Sequence, residues 1–189
     1  MFSTKRSRVR ALAAVGMAGV FTAVGAVAYD ASAAQVAPSD TRTVAVPVIA
    51  DTIKPPAGSR PVGAYVVSKG VQTYTCETTG AWSAASTPEA QLIGTGGRIH
   101  HFAGPSWQSL RDGSLVTATK VNASPRTGTI PELLLKVATH TGSGVLSKAD
   151  YINRLFTSGG VAPTAACTAG QSVSVAYSAV YVFWDDPAV

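Results

Sequence analysis

The chain has 189 residues, of which 46% are hydrophobic and 13% are charged, so it is long enough for one globular domain with a packed core. Its 15 Lys and Arg residues outnumber its 10 Asp and Glu residues, which gives a formal net charge of +5. Beyond the N-terminus the basic residues are scattered singly, without the clusters and interleaved aromatic residues of a phosphate-binding face. We therefore expect no nucleic-acid partner.

The N-terminus has the features of an export signal. Four basic residues precede an apolar run over residues 11–28, and Ala31-Ser32-Ala33 offers a small-x-small cleavage site. We predict a signal peptide over residues 1–33 and a secreted, extracellular protein with no membrane span after cleavage. The alternative is a retained leader that anchors the protein at the cell surface, but the run is mostly Ala, Val and Gly, which insert weakly into bilayers.

Loss of this leader changes the charge of the protein. It removes four basic residues and Asp30, which leaves 11 basic and 9 acidic residues and a net charge of +2. The basic character of the whole chain therefore belongs largely to the leader.

Cys76 and Cys167 both lie in the predicted exported part, where redox conditions permit a disulfide. We predict that they are bridged, which the chain-entropy model values at about 4 to 5 kcal/mol. The alternative is a nucleophilic thiol paired with a histidine, which an even pair of cysteines in an exported chain disfavours.

Residues 34–60 form a linker or an N-terminal arm, because Pro55-Pro56 cannot lie inside a helix or a central strand. Residues 61–187 are predicted to form a single β-rich domain. From Pro61 onward, short β-prone runs alternate with turn residues. This pattern is typical of an all-β, mostly antiparallel sandwich or small barrel with at most one short helix.

The first predicted strands follow one another closely. Residues 62–77 offer two strands around Lys69-Gly70, and residues 89–94 and 97–103 offer one each. Residues 106–110 and 114–121 read as a hairpin, because Asp112-Gly113 suits the positive φ angles of a tight turn.

The later elements are less uniform. Residues 129–140 fit a strand better than a turn of helix, and residues 145–156 are the best helix candidate, with Ser147 as a possible N-cap, although a strand fits them equally well. The C-terminal run is the clearest strand, because apolar residues recur at every second position from Val173 to Phe183. From Val180 onward both faces are apolar, so this end is expected to be covered on both sides.

His100 and His101 are the most conspicuous chemical feature. Successive side chains of a strand point to opposite faces, so the two cannot ligate one metal together. A zinc or copper site on His101 would need partners such as His140, Asp112 or Glu77, which the sequence does not bring together. We therefore favour a structural histidine over ligand binding or catalysis, and we expect no metal and no cofactor.

No catalytic motif is complete. Ser106 follows a proline in Gly-Pro-Ser-Trp-Gln, unlike a nucleophile elbow, and Ile99 stands where a dinucleotide loop needs its third glycine. The acidic residues lie mostly in turns, which disfavours paired carboxylates for glycoside chemistry. Aromatic residues at strand spacing could form a sugar-stacking platform but are more often core, and Trp107 is the one expected to be least core-like.

The ordered landmarks resemble a family of exported bacterial and fungal proteins called domain of unknown function 3455. The resemblance implies a single exported β-rich domain without an established activity, and it makes His101, rather than His100, the family-matching histidine. Glu132 departs from the pattern, since an aromatic residue is expected there. The matching segments are residues 55–58 (PPAG), 70–76 (GVQTYTC), Trp82, 101–107 (HFAGPSW), 112–114 (DGS), 130–135 (IPELLL), 158–163 (SGGVAP), Cys167 and 177–183 (YSAVYVF).

These observations favour a binding or surface-interaction module over an enzyme. The candidate functional corner consists of His101, Trp107 and Asp112, since binding residues are often carried by loops on a rigid scaffold. The ligand would be an extracellular glycan, small molecule or protein. One alternative is a hydrolase or metal-dependent enzyme centred on His101. Another, by analogy of architecture alone, is a barrel of the lysozyme-inhibitor kind.

Overall fold

A computed structural model describes residues 48–189, and within this range eight strands form one closed barrel. Each strand pairs antiparallel with the next along the chain, and the last strand returns to pair with the first. The all-β prediction is confirmed, and the architecture is a barrel. The predicted signal peptide lies outside the described residues. The strands are β1 (Arg60–Thr75), β2 (Thr87–Gly94), β3 (Gly97–Phe102), β4 (Ser106–Ser109), β5 (Leu115–Ser124), β6 (Glu132–Thr141), β7 (Tyr151–Gly159) and β8 (Ser172–Asp185), preceded by a short 3-10 helix (Asp51–Ile53).

The barrel interior holds the main hydrophobic core. Alternate residues of every strand point inward, as the two-residue period of a strand requires. On β8 the inward set is Tyr177, Ala179, Tyr181 and Phe183, all less than 10% exposed. The predicted alternation of the C-terminal run is therefore confirmed.

A second, smaller cluster covers the outside of β6, β7 and β8. Ile49 and Ile53, from the segment expected to be a linker or arm, pack there against Val182 and Trp184. Asn153 fastens this cover, because its amide nitrogen donates to the carbonyl oxygens of Ile53 (2.8 Å) and Leu133 (3.0 Å). This cluster explains why both faces of β8 are apolar from Val180 onward.

Two of the expected elements are wrong in detail. Residues 62–77 lie mostly in the single strand β1, because a bulge between Val67 and Lys69 absorbs the irregularity without turning the chain back. The proposed helix over 145–156 is instead a turn followed by β7. The strand forms because Ile152 packs inside the barrel while its neighbour Asn153 is buried outside it.

The predicted disulfide is present between Cys76 and Cys167, whose Cα atoms are 5.9 Å apart. It joins the connection after β1 to the connection before β8. The Trp82 indole nitrogen adds a hydrogen bond of 3.1 Å to the Ala165 carbonyl oxygen between the same two connections. These loops are thus fastened to each other at one end of the barrel.

Candidate functional site

A cavity of about 460 Å³ occupies the barrel interior at one end. It opens to solvent because exposed residues of the β3–β4 turn and of β5 form its rim. At the opposite end, Leu146 and Ala149 of the β6–β7 connection are fully buried and close the barrel. The cavity is therefore a cup with one mouth. Its lining includes Gln72, Pro88, His101, Trp107, Lys120, Leu133, Leu135, Arg154 and Tyr181.

His101 and Trp107 form the aromatic wall of this cup. They are register partners on β3 and β4, both pointing inward, and their rings stack with centroids 4.3 Å apart and planes 5° from parallel. Tyr181 meets the imidazole edge-on at 5.3 Å. The three rings therefore pack against one another as one aromatic cluster.

A hydrogen bond fixes the protonation of His101. Its Nδ1 lies 2.9 Å from the Ser106 carbonyl oxygen, which can only accept, so Nδ1 carries the proton and Nε2 keeps a lone pair. Burial lowers the pKa of His101 to about 4, although the Ser106 carbonyl opposes this shift and the Arg154 charge adds to it. His101 is therefore neutral at pH 7.

The partners of His101 are backbone and aromatic groups. Among the described residues no ionisable side chain lies within hydrogen-bond distance of its ring, which is what we expect of a structural histidine. His100 points to the other face, where its Nε2 lies 2.6 Å from Glu89 Oε1. The two histidines are thus separated as the strand period requires.

Trp107 and Asp112 do not lie where the sequence suggested a shared corner. Trp107 is 1% exposed and belongs to the core, so the expectation that it is the least core-like aromatic is wrong. It points inward because it faces His101 across the β3–β4 hairpin. Asp112 follows β4, and since β4 runs from the cavity end to the closed end of the barrel, the strand separates Asp112 from the aromatic wall.

Asp112 instead holds the closed end together. Its Oδ1 accepts hydrogen bonds from the Ser114 hydroxyl (2.6 Å) and amide (3.1 Å), and its Oδ2 accepts one from the Val145 amide (3.1 Å). These bonds, led by that of the Ser114 hydroxyl, lower the pKa of Asp112 to about 2. The carboxylate ties the β4–β5 turn to the loop that plugs the barrel.

Arg154 is the charged residue that sequence reasoning missed. It lies on β7, and its guanidinium enters the cavity lining. Its Nε and Nη2 both donate to the Pro131 carbonyl oxygen, at 3.2 and 2.9 Å. The strand interpretation of residues 145–156 could have revealed Arg154, because it places Arg154 on the same inward face of the strand as Ile152.

Gln72 and two tyrosines complete the polar interior. Gln72 accepts a hydrogen bond of 2.6 Å from the Ser86 hydroxyl, and the hydroxyls of Tyr177 and Tyr181 lie 3.3 Å apart. Burial raises the pKa of Tyr181, although the Arg154 charge opposes it, so the phenol stays protonated. Gln72 Nε2 and Trp107 Nε1 have no hydrogen-bond partner, but both are covered by protein atoms, so an occupant reaches them only after a side chain moves.

Within residues 48–189, no group of three or more His, Cys, Asp or Glu side chains is placed to hold a metal ion. Nor does this part of the chain contain a helix with the length and hydrophobicity needed to cross a membrane.

Comparison with known proteins returns one family. The model of a family described as "Protein of unknown function (DUF3455)" matches residues 97–185, which begin at the first residue of β3 and end at the last residue of β8. The earlier landmarks on β1 and around Trp82 lie outside the matched range. No curated protein and no solved structure matches the chain.

Proposed function

We propose a function from the barrel itself, because the DUF3455 family model that matches residues 97–185 assigns no activity. The protein binds a small molecule in the cavity at the mouth of the barrel. The observation that carries the proposal is the cavity of about 460 Å³ inside the barrel, open at one end and closed at the other. Barrels of eight strands have interiors just wide enough for packed side chains or for one small ligand.

The chemistry of the lining supports this proposal. Small-molecule sites are mostly apolar clefts of roughly 300 to 1,000 Å³ with a few placed polar groups. Here Leu133 and Pro88 are partly exposed and supply apolar surface, and the guanidinium of Arg154 supplies the main polar group. The stacked aromatic wall is preformed, so binding would cost little ordering of side chains.

The other functions expected from the sequence have less support. A hydrolase centred on His101 needs an ionisable or metal partner, and among the described residues the hydrogen bond of its ring goes to the backbone carbonyl of Ser106. A lysozyme-inhibitor-like function needs an exposed loop that fits an active-site cleft, and no described feature favours one. We therefore place the ligand inside the cup.

We further propose that the protein acts outside the cell. The Cys76–Cys167 disulfide supports this, since such bridges persist in oxidising compartments. Mass spectrometry of the protein from its native culture tests the proposal. A mature chain that begins at Ala34 in the medium supports export and cleavage, whereas a full-length chain confined to the cells contradicts them.

The binding proposal is tested by NMR titration with 2-naphthamide, a neutral probe with a flat apolar body. We expect saturable shifts of backbone amides along the cavity, at residues such as Ala118, Leu133 and Tyr181. Ala103→Trp at the rim should abolish them, because the added indole would fill the mouth. The matched control is Ala123→Trp, which puts the same side chain at an exposed position outside the lining.

Two results would contradict small-molecule binding in the cup. One is the absence of saturable shifts with both this probe and its carboxylate analogue. The other is a set of shifts that Ala103→Trp leaves unchanged, because the probe would then bind elsewhere.

A further inference from the structure

The charged residues that line the cavity are all cations. Arg154 lies inside and Lys120 at the rim, and the lining includes no Asp or Glu. The carboxylates of nearby strands are engaged elsewhere: Glu89 contacts His100 on the outer face, and Glu132 contacts Arg126 at 2.8 Å. The interior of the cup therefore has a positive potential without a carboxylate from the described residues to balance it.

Arg154 has more N–H donors than its contact with Pro131 uses. A guanidinium carries five N–H donors, and the two hydrogen bonds of Arg154 both go to one oxygen, the carbonyl of Pro131. That contact also orients the guanidinium, because the edge that carries Nε and Nη2 faces the Pro131 carbonyl oxygen. A partly buried cation without a counter-charge is costly, and this cost is relieved when an anion occupies the cavity.

We propose that the ligand of the cup is a small organic acid, with its carboxylate on Arg154 and its apolar body against the partly exposed side chains of Leu133 and Pro88. The inference rests on the binding function proposed above and adds the chemical class of the ligand. A planar carboxylate matches the fork of a guanidinium, and Lys120 at the rim adds a second positive charge. Leu133 and Pro88 then cover the apolar body.

The test compares 2-naphthoate with 2-naphthamide, which share one apolar body and differ in the charge of the head group. NMR titrations of the full protein at pH 7 give both dissociation constants. We expect naphthoate to bind at least about tenfold more tightly than naphthamide in the wild type. In Arg154→Gln this preference should fall to about one, while the affinity for naphthamide changes by less than about twofold.

Two further variants keep the test decisive. Lys120→Gln should lower the affinity for naphthoate alone, by about two- to fivefold, because Lys120 is exposed and its charge is screened. Arg98→Gln removes an exposed cation outside the cavity lining and should leave both dissociation constants unchanged. If Arg154→Gln does not fold, the wild-type preference for naphthoate and its reduction by about two- to fivefold in Lys120→Gln still decide whether the cup prefers an anion.

The possible failures are distinguishable. If both probes bind the cup equally well in the wild type, the binding function stands and the organic-acid class is overturned. If the preference for naphthoate survives in both Arg154→Gln and Lys120→Gln, the assignment of the carboxylate to these cations is overturned. If neither probe binds, the binding function itself fails, and this inference fails with it.

Discussion

Acid should destabilise the protein through His101. The imidazole is 2% exposed, and burial holds its pKa at about 4, against about 6.5 in an unfolded chain. Below pH 6.5 the unfolded state therefore takes up a proton that the folded state excludes, so stability falls as pH falls and this contribution ends near pH 4. The difference in pKa corresponds to a loss of about 2 kcal/mol between pH 7 and pH 5 and about 3 kcal/mol by pH 4.

Urea unfolding at pH 7, 6 and 5 measures this loss in the wild type and in His101→Gln. Glutamine keeps a donor for the Ser106 carbonyl but cannot titrate, so the variant should lack the His101 contribution to the slope, whatever its stability at pH 7. His140→Gln is the matched control, because it removes an exposed histidine and should retain the slope. If the wild type and His101→Gln lose equal stability from pH 7 to pH 5, His101 is not held neutral by burial.

Three other perturbations test the fold around the cup. Replacing Cys76 and Cys167 together by alanine should lower the free energy of urea unfolding by about 4 to 5 kcal/mol, because the bridge spans 91 residues of sequence, and a loss below about 1 kcal/mol would contradict the chain-entropy argument. Asn153→Ala should lower the free energy of unfolding by about 2 to 4 kcal/mol in the same assay, because it leaves the Trp184 indole N–H and two carbonyl oxygens without their partner. An equal loss in the exposed control Asn122→Ala would show that these hydrogen bonds contribute nothing. Asp112→Ala should speed hydrogen exchange at the Val145 and Leu146 amides, and unchanged exchange there would show that the carboxylate does not hold the plug.

The fold was predictable where one strand carries a simple alternation. β8 shows this, because its inward residues are apolar and its early outward residues are small and mostly serine. β7 was ambiguous for a physical reason: Ile49 and Ile53 bury its outer face, while a charged residue, Arg154, occupies its inner face. Both departures obscure the alternation that identifies a strand. The bulge in β1 is set by its two neighbouring strands, so the local sequence does not reveal it.

The candidate site was predictable only in its local part. His101 and Trp107 face each other across a short hairpin, so their proximity follows from a few residues of sequence. Gln72 and Arg154 join them from β1 and β7, which are distant along the chain and brought together only when the barrel closes. Asp112 is near Trp107 in sequence, but an antiparallel strand carries it to the other end. Sequence proximity therefore grouped Asp112 with Trp107 and gave no indication of Arg154.

The closed meander also has a consequence for the order of folding. Seven of the eight strand pairings join neighbours along the chain, whereas the pairing of β1 with β8 joins Arg60 to Asp185. Loop-closure entropy disfavours that long-range pairing until the intervening hairpins have shortened the distance. While the chain is still being made, β1 pairs with β2 on one side, and its other side is an unpaired edge that can pair with another chain. The last strand therefore completes the cup and removes the edge at which the unfinished protein would aggregate.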